Sequence, residues 1–386
     1  MAAKNNREVY RGRRRRLNIL GIVFGALAVL LLLLIVLFYG LQRYIVFEHD
    51  GIAVVLPGAQ TDSASGDASQ NEAYGLTQVN AALTVEEPDY SAVAATAGEG
   101  LDDMVAIYVP SADVSLDGVG KYLNVMGQYS GANALVLDVK PVSGQLAWAS
   151  SSSVAASYST NGTTNLSQLV ASIKQQHPDI RLVAQLSCCI DGLLAQRCPA
   201  AALCLASGAA FIDSEGAWVD PYSDTVSTYL TELCTELIDM GFDEILLHGL
   251  TMPITDQALL YNVQLSSTPT PETAICGLAM ELTNALDSYD VPVSVILDTM
   301  SLRDGLSSTS GQNLKLFGKI FDRLCSATNS AWQSNIDLGS VDQYLTLGST
   351  AQRYVPIMEY IPEGFSSCII HVPDSVFPQE DTGTEQ

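Results

Sequence analysis

The chain alternates β-strand-like and α-helix-like segments over its larger part, from residue 101 to residue 372. Several strand-like segments are continuous apolar runs, which is the pattern of parallel strands buried on both faces. Such alternation predicts βαβ units around a parallel sheet. About 270 residues with about eight strands favour a closed (β/α)8 TIM-barrel-like domain over an open doubly wound sheet.

The predicted elements can be given by their residue ranges. The strands are residues 104–109, 134–140, 181–188, 244–250, 293–298, 324–328, 354–359 and 368–372. The helices are residues 116–129, 166–177, 225–240, 271–288, 314–327 and 340–348. No glycine-rich nucleotide-binding string follows any of these strands, so the sequence predicts no nucleotide and no other cofactor.

A second constraint lies near the N-terminus, where residues 17–41 contain no charged side chain in 25 positions. A helix of that length crosses the roughly 30 Å hydrocarbon layer of a membrane. Seven basic residues and one acid lie in the preceding tail, residues 1–16, which predicts a cytoplasmic N-terminus and export of the rest. A cleavable signal peptide is the alternative, but its apolar core is normally shorter. We therefore expect a single-pass signal anchor in a bacterial cell membrane.

Charge is distributed unevenly along the chain. There are 18 basic and 42 acidic side chains, and outside the N-terminal tail the counts are 11 and 41. Nucleic acids and anionic lipids bind basic patches, so we expect the exported part to bind neither. All eight cysteines lie in this part. Their even number permits disulfides, free thiols are the alternative, and the absence of a CxxC pair argues against a zinc site.

Three segments flank the predicted barrel. Residues 42–56 alternate as two short strands around Asp50 and Gly51, a dipeptide typical of hairpin turns. Residues 57–100 are rich in small and polar side chains and bury too little apolar surface to offset their ordering entropy, which predicts a flexible linker. Residues 373–386 form a polar, acidic tail.

The thirteen residues from Gly241 to Pro253 read GFDEILLHGLTMP. They resemble GFDEIQFDYVRFP, the signature of a bacterial TIM-barrel family of glycoside-hydrolase-like proteins whose exact activity is unknown. The run ALVLDVK, which contains Asp138 and Lys140, and the run WVDPYS, which begins at Trp218, are also similar to motifs of that family. The resemblance implies a glycoside-hydrolase-like barrel that acts on or binds a polysaccharide of the cell wall or of the surroundings.

The chain departs from the family at polar positions. His248 stands where the signature has an aspartate, Thr251 where it has an arginine, and Gln185 where family members tend to have an arginine. A histidine transfers protons near neutral pH, but it does not serve easily as a glycosyl nucleophile. Thr251 removes a bidentate partner for a carboxylate or for sugar hydroxyls. These exchanges place the catalytic activity in doubt.

Candidate site residues are expected at the carboxyl ends of the strands, where TIM barrels carry their function. Glycoside hydrolysis needs two carboxyl groups, about 5.5 Å apart for retention or about 6.5–9.5 Å apart for inversion. The candidate catalytic residues are Asp138, Asp298 and Glu359. The candidate cleft or ligand-binding residues are Lys140, Trp148, Gln185, Trp218, Asp220 and His248.

Each candidate also has a structural interpretation. Strand-end acids commonly bond loop amides or a lysine such as Lys140, the tryptophans can cap the core, and Asp220 can fix its loop. Three functions therefore stay open: a membrane-tethered glycosidase, a non-catalytic carbohydrate or cell-envelope binding barrel, and a structural partner-binding domain. A pair of carboxylates in an open cleft favours the first, aromatic residues around a cleft without that pair favour the second, and a filled mouth favours the third.

Overall fold

The computed structural model describes residues 45–48, 51–54, 89–261, 270–327 and 341–377. Residues 1–84 and 85–386 form two separate units. In the first unit, strand β1 (Ile45–Glu48) pairs antiparallel with β2 (Gly51–Val54). Glu48 lies opposite Gly51, so Gly51 belongs to the second strand and not to the turn in which the sequence placed it.

The predicted membrane-spanning segment, residues 17–41, lies outside the described residues. In the part of the chain that the structure describes, no helix combines the length and the apolar character needed to span a membrane. Residues 57–88 of the predicted linker and residues 378–386 of the predicted tail also lie outside the described ranges.

The described ends of the linker and of the tail contact the barrel. Lys319 Nζ donates hydrogen bonds to the backbone oxygens of Tyr90, Ser91 and Val93 at 2.9, 3.1 and 2.8 Å. At the other end, the rings of Phe377 and Tyr122 meet with centroids 5.0 Å apart. The described parts of the predicted linker and of the predicted acidic tail, residues 89–100 and 373–377, thus include residues that contact the barrel. These contacts involve partners that are distant in the sequence, which local composition does not indicate.

The second unit is a closed barrel of eight parallel strands, each paired with its neighbours in chain order and the last with the first. The barrel strands are β3 (Val105–Val109), β4 (Ala134–Lys140), β5 (Arg181–Ser187), β7 (Glu244–His248), β9 (Val293–Leu297), β10 (Leu324–Ala327), β11 (Tyr354–Met358) and β12 (Cys368–Ile370). A short antiparallel pair, β6 (Cys204–Leu205) and β8 (Leu259–Leu260), lies outside the barrel sheet. The TIM-barrel prediction is confirmed, and all eight predicted strands end within two residues of their observed ends.

Helices follow most of the strands. They are α1 (Leu116–Met126), α2 (Ser153–Ser157), α3 (Leu166–Gln176), α4 (Gly192–Arg197), α5 (Asp224–Met240), α6 (Pro271–Leu286), α7 (Thr299–Asp304), α8 (Leu314–Ile320) and α9 (Thr350–Arg353). The predicted helix 314–327 stops at Ile320 because the chain enters β10. Residues 343–348 are not helical, against the prediction for 340–348. The sequence missed α2, α4, α7 and α9, which are too short to show a helical period.

Two apolar layers hold the barrel together. The inner layer fills the space enclosed by the strands and includes Met104, Val136, Val183 and Leu246. The outer layer packs the other faces of the strands against the surrounding helices. All eight cysteines are free thiols, and all except Cys204 are buried, so they fill apolar space instead of forming disulfides.

A buried ion network closes the amino-terminal end of the barrel. Glu244 is fully buried at the start of β7, with Oε2 3.2 Å from Arg181 Nη2 and 3.3 Å from Arg323 Nε. Ser294 Oγ donates to Glu244 Oε1 at 2.7 Å. Arg323 Nη2 also donates to the backbone oxygen of Asp102 at 2.9 Å. The Glu244 carboxylate therefore links β5, β7, β9 and the residue before β10.

We expect Glu244→Gln to lower the free energy of unfolding by about 3–5 kcal/mol, because it leaves Arg323 buried without its counter-charge. Urea denaturation of the purified chain measures this loss. The control is Glu281→Gln on the exposed side of α6, which should change stability by about 0.5 kcal/mol or less. Equal losses in both variants would contradict the network.

Candidate functional site

One group of polar side chains lies at the barrel mouth, where β3, β4, β5 and β12 end. We call Tyr108, Asp138, Gln185 and His371 the Asp138 cluster. Tyr108 Oη donates to Asp138 Oδ2 at 3.2 Å, and the Tyr108 ring stacks on the His371 ring with centroids 4.2 Å apart. Gln185 lies opposite Asp138 in the pairing of β4 with β5. The structure thus brings two candidates, Asp138 and Gln185, together with two residues that the sequence did not single out.

Burial makes Asp138 an unusual carboxyl group. The side chain is 7% exposed, and its Oδ1 has no hydrogen-bond partner among the described residues. Burial raises its pKa to about 6, against the opposing influence of Tyr108, Gln185 and the Lys140 charge. Within the described ranges, none of the groups that act on its pKa is another carboxyl group. A carboxyl with such a pKa is suited to hold a proton near neutral pH.

Lys140 is held in a buried ion pair, and the expectation that it binds a ligand in the cleft stays a prediction. It is fully buried, and its Nζ lies 2.7 Å from Asp191 Oδ2 and donates to the Ser187 backbone oxygen at 2.7 Å. Strict alternation along β4 would place Lys140 on the same face as Asp138. A register shift between the two residues interrupts that alternation, and Lys140 Nζ pairs with Asp191.

The two other candidate acids occupy different settings. Asp298 Oδ1 accepts a hydrogen bond from Ser301 N at 2.6 Å and caps α7. Glu359 is exposed just after β11, and its charge acts on His371, whose pKa is lowered by burial. Neither Asp298 nor Glu359 is among the groups that act on the pKa of Asp138 in the described residues, and a second carboxyl group within reach of Asp138 stays a prediction.

Two candidate cleft residues are buried and have hydrogen-bond partners within the protein. Trp148 is 2% exposed, and its Nε1 donates to Glu236 Oε2 on α5 at 2.9 Å. Asp220 is fully buried, and its Oδ1 accepts from Tyr222 N at 2.9 Å, which fixes the loop before α5. Both side chains thus have partners within the protein, and the prediction that they bind a ligand stays a prediction.

A cavity of about 480 Å³ opens beside the ends of β7 and β9. We call it the His248 cavity, because His248 lines it together with Trp218 and Asp298. Burial and the Lys140 charge lower the pKa of His248, so its ring is neutral at neutral pH. The volume lies within the range of small-molecule sites. Trp218 is 3% exposed, so it forms a wall of the cavity instead of a free stacking platform.

Other residues of the mouth were missed from the sequence. Tyr108 and His371 sit at strand ends, where the rule used for Asp138 would also have found them. Gln312 was not predictable, because it lies on a loop: its Oε1 accepts from Asp298 N at 2.8 Å and its Nε2 donates to the Leu250 oxygen at 3.0 Å. This amide fixes the strand ends that line the His248 cavity.

Comparison with known proteins agrees with this architecture. Residues 106–344 match the family described as "Putative glycosyl hydrolase domain". The chain belongs to this family. No curated protein is similar to it at a significant level. Family membership places the Asp138 cluster and the His248 cavity in a glycosyl hydrolase-like barrel.

Solved structures with weaker likeness include a hypothetical protein from Ruminiclostridium thermocellum, 21% identical over 49% of this chain and 96% of that chain, with a TM-score of 0.42. A chitinase from Chromobacterium violaceum is 12% identical over 67% of this chain and 69% of that chain, with a TM-score of 0.39. A spore cortex-lytic enzyme from Bacillus megaterium is 12% identical over 69% and 55%, with a TM-score of 0.39. The barrel assignment rests on the strand pairing described above.

We expect Asp138→Asn to stabilise the chain above pH 6 by at most about 3 kcal/mol and to be neutral below about pH 4. The folded chain holds the Asp138 proton more tightly than the unfolded chain, so stability falls as the pH rises through the pKa of about 6. Asparagine removes that loss and still accepts from Tyr108. Urea denaturation at both pH values measures the difference, with Asp179→Asn as an exposed control. An equal effect at both pH values would exclude a raised pKa.

Proposed function

We propose that this domain is a glycan-binding barrel, which holds a polysaccharide at its mouth and does not hydrolyse it by the two-carboxylate mechanism. Three candidate carboxyl groups occupy unlike settings, and these settings are the basis of the proposal. Asp138 is buried beside Tyr108, Asp298 caps a helix, and Glu359 is exposed near His371. Two-carboxylate hydrolysis requires an acid and a base or nucleophile on opposite sides of one bond.

The features that remain at the mouth suit binding. The Tyr108 and His371 rings, stacked at 4.2 Å, provide a flat apolar surface beside the hydrogen-bonding groups of Asp138 and Gln185. The His248 cavity adds about 480 Å³ of space beside the ends of β7 and β9. Sugar rings combine apolar faces with many hydroxyl groups, and they are recognised by aromatic rings with a few placed polar groups.

A second candidate function is hydrolysis assisted by the substrate itself. Some glycosidases draw the nucleophile from the sugar, and they then depend strongly on one protein acid. Asp138 has a pKa of about 6, which is suitable for such an acid near neutral pH. This observation favours an enzyme only if a sugar able to supply its own nucleophile reaches Asp138.

Two measurements on the full chain in detergent distinguish the two functions. The first is binding to a panel of wall and external polysaccharides, and the second is the release of reducing ends from the same polysaccharides. We expect binding without hydrolysis, and Asp138→Asn should weaken it by at most about fivefold, since one hydrogen bond contributes about 1 kcal/mol net. Hydrolysis by the native chain that falls about 100-fold or more in Asp138→Asn would overturn the binding proposal in favour of the second function.

We further propose that residues 17–41 anchor the chain in the membrane with the barrel outside, because 25 uncharged residues follow a basic tail. External protease on intact cells without a wall should then remove nearly all of the mass and leave a short membrane-bound fragment. A cytoplasmic protein serves as the control for cell integrity. Complete protection of the barrel would contradict this orientation.

A further inference from the structure

Three exposed side chains lie together at one edge of the barrel mouth. Glu359 and Tyr360 directly follow β11, and His371 directly follows β12. The two strands are paired, and His371 N donates to the Met358 backbone oxygen at 2.6 Å, so the three side chains are neighbours. Tyr360 is 49% exposed. Aromatic side chains that stay exposed next to one another are typical of a binding surface.

The His371 ring is held firmly from one side. It lies parallel to the Tyr108 ring within 2°, with centroids 4.2 Å apart, and Tyr108 is fixed in turn because its Oη donates to Asp138 Oδ2 at 3.2 Å. His371 is exposed, so the opposite face of its imidazole is open to solvent. A ring that is already held in place loses little side-chain entropy when a ligand covers it. The outer face of His371 is therefore a preorganised stacking surface.

The charge beside this ring is negative. Burial lowers the pKa of His371, so the imidazole is uncharged at neutral pH, and Glu359 is the charged group of the described residues that acts on it. Outside the N-terminal tail the chain has 11 basic and 41 acidic side chains, so an anionic ligand meets like charges. In the described ranges, no three histidine, cysteine or acidic side chains are arranged to hold a metal ion. An uncharged ligand with an apolar face and hydrogen-bond donors matches both the ring and the carboxylate.

We propose that the outer face of His371, together with Glu359 and Tyr360, binds an uncharged β-linked glycan whose ring substituents are equatorial. The inference rests on the proposed function, because it names the class of glycan and the part of the mouth that the glycan contacts. Such a sugar ring has C–H bonds on its two faces and hydroxyl groups around its rim. One face stacks on the imidazole, and rim hydroxyls donate to the Glu359 carboxylate.

The test compares three hexamers with the same β-1,4 linkage, made of glucose, of N-acetylglucosamine or of glucuronic acid. Isothermal titration of the full chain in detergent near neutral pH should show an uncharged hexamer bound about tenfold more tightly than the glucuronate hexamer, because several exposed like charges each weaken binding by a small factor. Added salt should narrow this preference by improving the binding of the charged hexamer, since screening does not act on the stacking contact.

Substitutions of His371 locate the stacking surface. His371→Ala removes the ring and should weaken binding of the uncharged hexamer about tenfold, whereas His371→Phe keeps a flat ring and should stay within about twofold of the native affinity. Both variants keep the backbone hydrogen bond to Met358 and should fold, which urea denaturation checks. The matched control is His177→Ala, at the end of α3 on the amino-terminal side of the barrel, which should not change binding. Unchanged affinity in His371→Ala, or an equal loss in His371→Phe, would overturn the stacking contact.

Substitution of Glu359 tests the discrimination against charged glycans. Glu359→Gln removes the charge and keeps an oxygen that accepts from hydroxyls, so it should reduce the preference to about threefold and change the binding of the uncharged hexamer by less than about threefold. The matched control Glu281→Gln neutralises an exposed acid on α6 and should keep the preference. An equal reduction in both variants would mean that net charge alone is responsible and would overturn the role of Glu359.

Tyr360→Ala should weaken binding of the uncharged hexamer about fivefold, because it removes the second exposed ring at this edge. The control is Tyr289→Ala, next to the start of β9 at the amino-terminal end of the barrel, which should leave the affinity unchanged. Unchanged affinity in a folded Tyr360→Ala variant would overturn the contact of the glycan with Tyr360.

The remaining outcomes separate the two levels of the proposal. If no glycan of any kind binds to the folded native chain, the proposed function itself fails. If a glycan of the wider panel binds but neither uncharged hexamer does, or if the glucuronate hexamer binds as tightly as they do, only the inference about the glycan class fails. Tighter binding of a lysine-rich peptide than of either uncharged hexamer would also overturn it, because the edge with Glu359 would then recognise a protein cation.

Discussion

The buried ion pair of Lys140 with Asp191 is the contact on which the shape of the barrel mouth depends. Both side chains are at most 1% exposed, and a charge at that depth is stable only with a partner and additional hydrogen bonds. The chain after β5 must therefore return to the end of β4, where Asp191 also accepts from Leu194 N and begins α4. Gly144 completes the arrangement, since a Cβ there would lie 1.9 Å from Asp191 Oδ1. An isolated β-bridge between Ile190 and Trp218 brings the Trp218 indole to the wall of the His248 cavity.

The signature from Gly241 to Pro253 gains a physical meaning from the structure. Gly241 ends α5 in the left-handed region with φ +100, and Asp243 accepts from Leu182 N at 2.9 Å while pairing with Lys174 at 2.6 Å. Glu244 anchors the network at the amino-terminal end of the barrel. Gly241, Asp243 and Glu244 thus build the barrel, whereas His248 of the same segment lines the cavity.

Features that depend on local sequence patterns were predicted well, whereas features that depend on contacts between distant residues were not. Buried strands were located closely because continuous apolar runs report burial on both faces, which is a local property. The ion pair of Lys140 with Asp191 was not predictable, because one register shift changes the face of a residue and no local pattern predicts the shift. Asp298 looked catalytic at its strand end, but the turn into α7 made it a cap. The hydrogen bond of Trp148 was not predictable, because its partner Glu236 is 88 positions away in the sequence and comes near only in the folded chain.

The mouth places its candidate carboxyl groups in unlike settings. Asp138 is enclosed by Tyr108 and Gln185, and burial favours its protonated form up to a pKa of about 6. Asp298 caps α7, and Glu359 is exposed just after β11. Cleavage of one bond requires an acid and a base or nucleophile about 5.5–9.5 Å apart on that bond. Recognition has no such requirement, because hydrogen-bonding groups in different settings can each contact a different sugar of one chain.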